Sequence, residues 1–269
     1  MPDAAETFRQ LHRGPGLLLL ANCWDAGSAT LLASLGARAV ATTSAGVAWA
    51  HAHPDGDALP VDLLIVTVGE IARAVQVPLT VDVEGGYAND PATVGETVAA
   101  LVDAGAVGIN IEDGAGSPDL LAAKIAQAKD AAARRGVDLF VNARTDVFLR
   151  GLVPEPDRVA ETLVRAARYR DAGADGLFVP KVVARDEIRE IASAAGLPLN
   201  VLAWPGLLPA SELAALGVRR LSAGSAIAQG AWARAAALAA PFLDEGRFEA
   251  LSENAMPYPQ INALFARKP

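Results

Sequence analysis

Val81-Asp82-Val83-Glu84-Gly85-Gly86-Tyr87 places two carboxylates at the end of one apolar run. Pro78 to Val83 is rich in β-branched residues and reads as a strand. Its period of two sends Asp82 and Glu84 to one face and Val81 and Val83 to the other. Two steps of the strand set the like charges about 7 Å apart. They repel unless a cation or a proton sits near them, and hard oxygen donors favour Mg2+ or Mn2+. Two solvated acids at a strand end would show the same spacing, so the pair needs neighbours to mean a site. Val107 to Ile111 delivers Glu112 and Asp113, and Asp138 to Asn142 delivers Arg144 and Asp146. Arg144 offers a planar positive fork for a carboxylate or an enolate oxygen, although Arg144 and Asp146 could also form a structural ion pair. Ser44-Ala45-Gly46, a small-residue turn after Ala39 to Thr43, could offer backbone amides to a second anionic group.

These positions lie far apart in sequence, so the elements between them decide whether they meet. A polar start predicts a short helix over Ala4 to His12 that closes one end of the fold. Leu17 to Ala21 is the first strand. Cys23 to Ser28 is a loop, and Ser28 caps a helix through Leu35. Val47 to Pro60, with His51, His53, Asp55 and Asp57, has loop composition and the two histidines read as surface residues; Leu63 to Ala74 is helical. Asp90 as N-cap and Pro91 at the first position start a helix that Gly105 stops. Pro118 to Arg135 and Glu155 to Asp171 are further helices. The last strands are Gly176 to Val179, Leu199 to Ala203 and Arg219 to Ser222, followed by Pro180-Lys181, Trp204-Pro205-Gly206 and Gly224-Ser225. Eight short strands alternating with helices predict an α/β fold, a (β/α)8 TIM-type barrel in one domain over residues 1–269, with 225–269 as a C-terminal helical segment. Gly36, Gly105, Gly173 and Gly217 recur at the helix-to-strand joints. A doubly wound open sheet is the competitor, weakened by the lack of Gly-x-Gly-x-x-Gly after the first strand. In a barrel the strand ends form one face, which would gather Asp82, Glu84, Glu112 and Arg144. That set suits a small 2-oxo acid chelated to a divalent cation and an enolate formed as a neighbouring bond breaks.

Composition narrows the alternatives. Hydrophobic residues make up 52% of the chain and charged residues 20%, the balance of a chain that folds. A net charge of −8 without a basic cluster argues against nucleic acid as a partner. The apolar run Leu17 to Ala21 is too short to span a bilayer and no basic leader precedes it, so the expectation is a cytoplasmic protein without a membrane partner. Cys23 is the only cysteine, which excludes an internal disulfide, and with no basic neighbour in sequence it reads as a small buried thiol. Residues 225–243 are apolar on nearly every side and must be covered all round.

The strings VDVEGGYA, GINIEDG, NARTD and TTSAG at these strand ends resemble the isocitrate lyase/phosphoenolpyruvate mutase superfamily, and the resemblance runs from about Gly16 to about Phe265. It implies a magnesium-dependent enzyme of the lyase or mutase kind that binds a 2-oxo or 2-hydroxy acid such as pyruvate, oxaloacetate or 2-oxoglutarate. By that resemblance Asp82 is the direct metal ligand, and Glu84 and Glu112 hold the metal's waters. Arg144 meets the substrate carboxylate and enolate, and Ser44, Ala45 and Gly46 bind a carboxylate. Asp55 is an acid presented to the substrate, and Trp24 lines the site. It also implies a homodimer or homotetramer in which the helix after the last strand packs on a neighbouring barrel. The departures are equally specific. The lyases' Lys-x-Cys-Gly-His loop is replaced by Gly114-Ala115-Gly116-Ser117-Pro118, the long gating loop of the mutases is missing, and Pro180-Lys181 stands where relatives carry His or Glu. Two rivals follow: a 2-oxo acid-binding protein without turnover, and a metal-independent aldolase forming a Schiff base on Lys181.

Overall fold

The computed structural model describes residues 3–14 and 16–266. Its strands are β1 (Leu18–Leu20), β2 (Asn22–Cys23), β3 (Val40–Thr42), β4 (Leu79–Asp82), β5 (Gly108–Glu112), β6 (Phe140–Arg144), β7 (Gly176–Val179), β8 (Leu199–Leu202) and β9 (Val218–Ser222). All are parallel, in the order β1-β9-β8-β7-β6-β5-β4-β3-β2. The expected first strand is interrupted at Ala21. Leu18–Leu20 pair with β9, and Asn22–Cys23 pair with β3. The two sheet edges are therefore consecutive pieces of chain, and the sheet closes into the (β/α)8 barrel. Asn22 fastens this seam from both sides: its Nδ2 donates to the Thr42 carbonyl at 2.8 Å, and its Oδ1 accepts from the Gly224 amide at 2.8 Å.

The helices are α1 (Ala4–Arg13), α2 (Ala26–Ser34), α3 (Ser44–Ala50), α4 (Val61–Ala74), α5 (Pro91–Asp103), α6 (Pro118–Ala133), α7 (Arg158–Asp171), α8 (Arg185–Ala194), α9 (Ala210–Ala215), α10 (Ala226–Glu245) and α11 (Tyr258–Phe265). Several match the pattern closely. Asp90 caps α5 through the Thr93 amide at 3.0 Å with Pro91 in the first turn. Three readings are corrected. Asp25, not Ser28, is the N-cap of α2: its Oδ1 accepts from the Ser28 amide at 2.6 Å, and the Ser28 hydroxyl oxygen accepts from the Asp25 amide at 3.1 Å. Ser44-Ala45-Gly46 is the first turn of α3, so the expected loop over Val47 to Pro60 begins only after Ala50. His51 is half-buried and bonds the Thr67 hydroxyl at 2.9 Å, a structural contact in place of a surface position.

The apolar layer lies between sheet and helices, where Val81, Ile109, Ile111 and Val141 pack against Leu64, Val68, Val98, Leu101 and Ile125. Each such side chain contributes about 1.5–3 kcal/mol on burial. The barrel interior is polar instead. Asn142 Nδ2 donates to Asn110 Oδ1 at 2.9 Å and to Asn200 Oδ1 at 3.0 Å, and the fully buried Arg220 donates to Asn110 Oδ1 at 3.2 Å. One end is closed by α1, whose Phe8 and His12 pack on the Phe140 ring. No described helix is long and apolar enough to cross a membrane.

At the other end of the chain, α10 leaves the barrel. Of its 20 residues only Ala228 is buried, while Trp232, Phe242 and Leu243 are exposed. The outside of β1 and β9 is correspondingly bare: Leu19 is exposed, and a cavity of about 560 Å³ is lined there by Leu17, Leu19, Leu35 and Leu221.

Candidate active site

The ends of β3 to β6 bring the expected acids and the arginine to one face. Arg144, the last residue of β6, is 2.6 Å from Glu112 Oε2 through Nη1, and it donates from Nε and Nη2 to Asp146 at 2.7 and 3.2 Å. Asp146 is wholly buried and also accepts from Arg150 Nε at 2.9 Å. The Arg144–Asp146 pair is thus real and sets the plane of the guanidinium facing Glu112. Backing of this kind fixes a donor before any ligand arrives.

Asp82 ends β4. Its backbone amide donates to the Thr42 hydroxyl at 2.8 Å, and its Oδ2 accepts from the Ser44 amide at 3.4 Å. Burial raises the Asp82 pKa above the usual carboxylate range, against the opposing charge of Arg144. Alternation along the strand stops one residue later. Glu84 sits at φ +50, a left-handed conformation that costs a non-glycine residue about 1–2 kcal/mol. Its carboxylate consequently turns to the loop before α4, accepting from the Gly56 amide at 2.9 Å, from the Asp57 amide, and from the Tyr87 hydroxyl at 3.0 Å. Burial again raises its pKa. Glu112 is pushed up to about 8, chiefly by burial, with Asp82, Asp146 and Glu84 adding repulsion that Arg144 offsets only in part.

The remaining expected positions divide. Ala45 and Gly46 are buried in the first turn of α3, and Gly46 is held close: a Cβ there would lie 2.7 Å from Thr43 Cγ2 and 2.9 Å from Trp24 Cβ. Trp24 is half-buried behind that turn. Asp55 is exposed, yet its charge reaches both Asp82 and Glu84. Lys181 is exposed at φ +68 after β7 and does not line the cavity beside the acids. Cys23 is buried in β2 with its Sγ 3.2 Å from the Ala41 carbonyl, and burial pushes its thiol up to about 12.

That cavity, about 530 Å³, is lined by Glu84, Tyr87, Glu112, Gly114, Lys124 and Arg150 among others. The sequence reading assigned nothing to Tyr87, Lys124 or Arg150. A signal for Lys124 existed: it lies in the buried stripe Leu121, Lys124, Ile125, Ala128 of α6, where an unpaired cation is out of place.

Among the described residues, no three His, Cys, Asp or Glu side chains converge into a ready-made metal cage. The donor chemistry still fits a hard, hydrated cation. Asp82, Glu84 and Glu112 are acid oxygens held near one another with their pKa values raised by burial, the situation that a divalent ion relieves. Magnesium keeps several waters and needs few direct protein ligands.

In barrels of this kind the C-terminal ends of the strands form the active face, and the acids and the braced arginine lie there. The comparisons make this particular. The phosphoenolpyruvate phosphomutase family model matches residues 8–243, and the chain belongs to that family, within the isocitrate lyase/phosphoenolpyruvate mutase superfamily of lyases and mutases. It is 37% identical over 261 residues to an uncharacterised protein of Mycobacterium tuberculosis, covering 96% of this chain and 95% of that one. It is 32% identical to the oxaloacetate decarboxylase of Pseudomonas fluorescens, over 81% of this chain and 77% of the relative. A solved structure from Burkholderia cenocepacia, described as a candidate lyase/mutase, superposes with a TM-score of 0.89 at 38% identity, over 98% and 96% of the two chains.

Proposed function

We propose that this chain is a Mg2+- or Mn2+-dependent lyase that binds a small 2-oxo acid and breaks the bond next to its carbonyl through an enolate. One observation carries the reading: at the ends of β4 to β6, Asp82 and Glu112 stand beside a guanidinium that Asp146 holds in place, with Arg144 Nη1 2.6 Å from Glu112 Oε2 and both acids' pKa values raised by burial. Asp82 would hold the metal directly, and Glu84 and Glu112 would hold its waters. Bound there, the ion would polarise the 2-oxo group and stabilise negative charge on its oxygen. Arg144 binds the substrate carboxylate and balances the enolate as it forms, a contribution largest in the transition state. The first turn of α3, Ser44 to Gly46, receives the carboxylate with Trp24 behind it. Asp55, on the loop that Glu84 tethers, is the acid presented to the substrate. The oxaloacetate decarboxylase relative supports a C–C bond as the one broken.

The short turn Gly114 to Ser117, closed by the Gly116 amide on the Asp113 carbonyl at 2.7 Å, holds no cysteine or histidine. That favours, as the second reading, a 2-oxo acid-binding protein without turnover. Calorimetric titration of pyruvate, oxaloacetate, 2-oxoglutarate and phosphonopyruvate, with and without magnesium and with products followed in the same samples, separates them. Magnesium-dependent binding with turnover establishes the lyase; binding alone establishes the second reading; absence of binding removes both. Trapping by borohydride with pyruvate would instead expose Lys181 chemistry.

The same reading includes assembly. The bare apolar surface of β1 and β9 matches the exposed apolar length of α10, so α10 of one subunit covers the barrel of another in a homodimer or homotetramer.

A further inference from the structure

We propose that Arg165 and Tyr169 of α7 are positioning residues for the reaction: acting through Asp113 and Asp146, they fix the direction in which Arg144 presents its guanidinium. This rests on the reading that Arg144 meets the substrate carboxylate and the enolate.

Alternation along β5 sends Asn110 and Glu112 to the inside and Ile109 and Ile111 to the helix layer, and Asp113 follows the isoleucines outward. Its carboxylate is wholly buried there. Arg165 and Tyr169 meet it from the buried stripe of α7, which reads Thr162, Arg165, Ala166, Tyr169. Arg165 Nη1 donates to Asp113 Oδ2 at 2.8 Å, and the Tyr169 hydroxyl donates to the same oxygen at 2.6 Å. Burial and the charge of Asp113 push the Tyr169 pKa up, so its hydroxyl stays a donor. Arg165 is held in turn, its Nε donating to Glu161 Oε1 at 2.7 Å.

A buried ion pair contributes little net stability, and apolar side chains of similar volume would pack α7 on the sheet at least as well. What they would not supply is the second carboxylate oxygen. Asp113 Oδ1 accepts from the Asp146 amide at 2.9 Å, while the Asp113 amide donates to the Arg144 carbonyl at 3.2 Å. One residue therefore grips the backbone on both sides of Thr145. Beyond Asp146 the chain enters the π-helical turn Val147–Gly151, an irregular piece that does not by itself set where Asp146 stands. Asp146 then receives Nε and Nη2 of Arg144, which leaves Nη1 2.6 Å from Glu112 Oε2. The dependence runs from α7 to Asp113, to the Asp146 backbone, to the plane of the guanidinium. Asp82 is held by a separate set, Thr42 and Ser44. Disturbing α7 should accordingly harm recognition of the anion and spare the metal site.

Oxalate is the probe, because its two carboxylates reproduce the planar O–C–C–O of a pyruvate enolate. Its affinity is measured by calorimetry in saturating magnesium, and the affinity for Mn2+ alone by electron paramagnetic resonance. Arg165→Met should weaken oxalate binding about tenfold, the size of one charge-assisted hydrogen bond, and Tyr169→Phe about threefold. Arg165→Lys should restore part of the loss, and Mn2+ affinity should hold in all three variants. Combined with Arg144→Gln, neither substitution should cost further oxalate affinity, since its effect passes through Arg144. Losses that add to that of Arg144→Gln overturn the proposal. So does a parallel fall of oxalate and Mn2+ affinity, or a lowered thermal midpoint with oxalate affinity intact, because either marks a role in holding α7 alone. Tyr169→Phe removes a single oxygen and keeps the test decisive if Arg165→Met does not fold. Wild-type oxalate binding with such unselective variants overturns this inference alone; no magnesium-dependent oxalate binding in the wild type overturns the underlying reading of the site with it.

Discussion

The barrel has two unlike halves. The ends of β4, β5 and β6 carry Asp82, Glu84, Glu112, Asp113, Arg144 and Asp146, and every charge there is buried or half-buried and bonded. The ends of β7, β8 and β9 carry Pro180-Lys181, Ala203-Trp204 and Ala223-Gly224, with no acid among them, and the outside of β9 and β1 is apolar and bare. One half concentrates polar groups at the strand ends, where a small anion can reach them. The other leaves apolar area on its flank and sends α10 outward. On the proposed reading, chemistry and association lie on opposite sides of one closed sheet, and each should be open to perturbation with little effect on the other.

The largest expected effect separates the halves cleanly. Asp82→Ala should abolish magnesium-dependent ligand binding in calorimetry while the circular dichroism spectrum and oligomeric mass stay unchanged; unchanged binding would remove the metal-site argument. On the opposite side, Trp232→Asp together with Phe242→Asp on α10 should convert the oligomer to a monomer by light scattering. An unaltered mass would show that α10 does not cover a neighbouring barrel.

A pH series is a subtler probe of the acid half. The folded pKa of Glu112, about 8, lies above that of the unfolded chain, so the native state holds a proton that the unfolded state releases. Stability from this group is complete below its unfolded pKa and is lost as pH rises through about 8. The metal-free thermal midpoint should accordingly fall by a few degrees between pH 5 and 8, and Glu112→Gln should flatten the slope. Magnesium should protect most at the alkaline end, where the carboxylate is ionised. A slope unchanged by Glu112→Gln would place the titration elsewhere. The smallest effect is expected at Cys23: burial keeps the thiol protonated, so the native protein should resist alkylation at neutral pH, and Cys23→Ala should alter turnover less than twofold. Rapid labelling would contradict the burial.

What could be read from sequence follows from what is local. An apolar run ending in Asp82, or in Glu112, announces a strand end with chemistry because both facts lie within six residues. The split at Ala21 has no such signal, since alanine continues the apolar run and the break is imposed by closure between β9 and β3. Extended alternation also misplaced Glu84, whose direction is set by a left-handed backbone before Gly85-Gly86 and by amides 27 and 28 residues away. Asp25 and Ser28 are both good capping residues, and only geometry shows that they cap reciprocally. Arg144 and Asp146 were legible as a pair, but that Asp146 also holds Arg150 depends on the π-helical turn between them.

The seam at Asn22 bears on how the chain reaches this state. Its side chain joins a strand near the start to the Gly224 amide, 202 residues later. During synthesis β1, whose partner is β9, therefore stays unpaired until almost the whole barrel has emerged, and the loop that closes it is among the longest the chain can form. Such closure is slow, and an open parallel edge invites pairing with other nascent chains. A ribosome that stalls before β9 leaves a species whose hazard is aggregation, even though β4 to β6, with Asp82, Glu84 and Glu112, have already been synthesised.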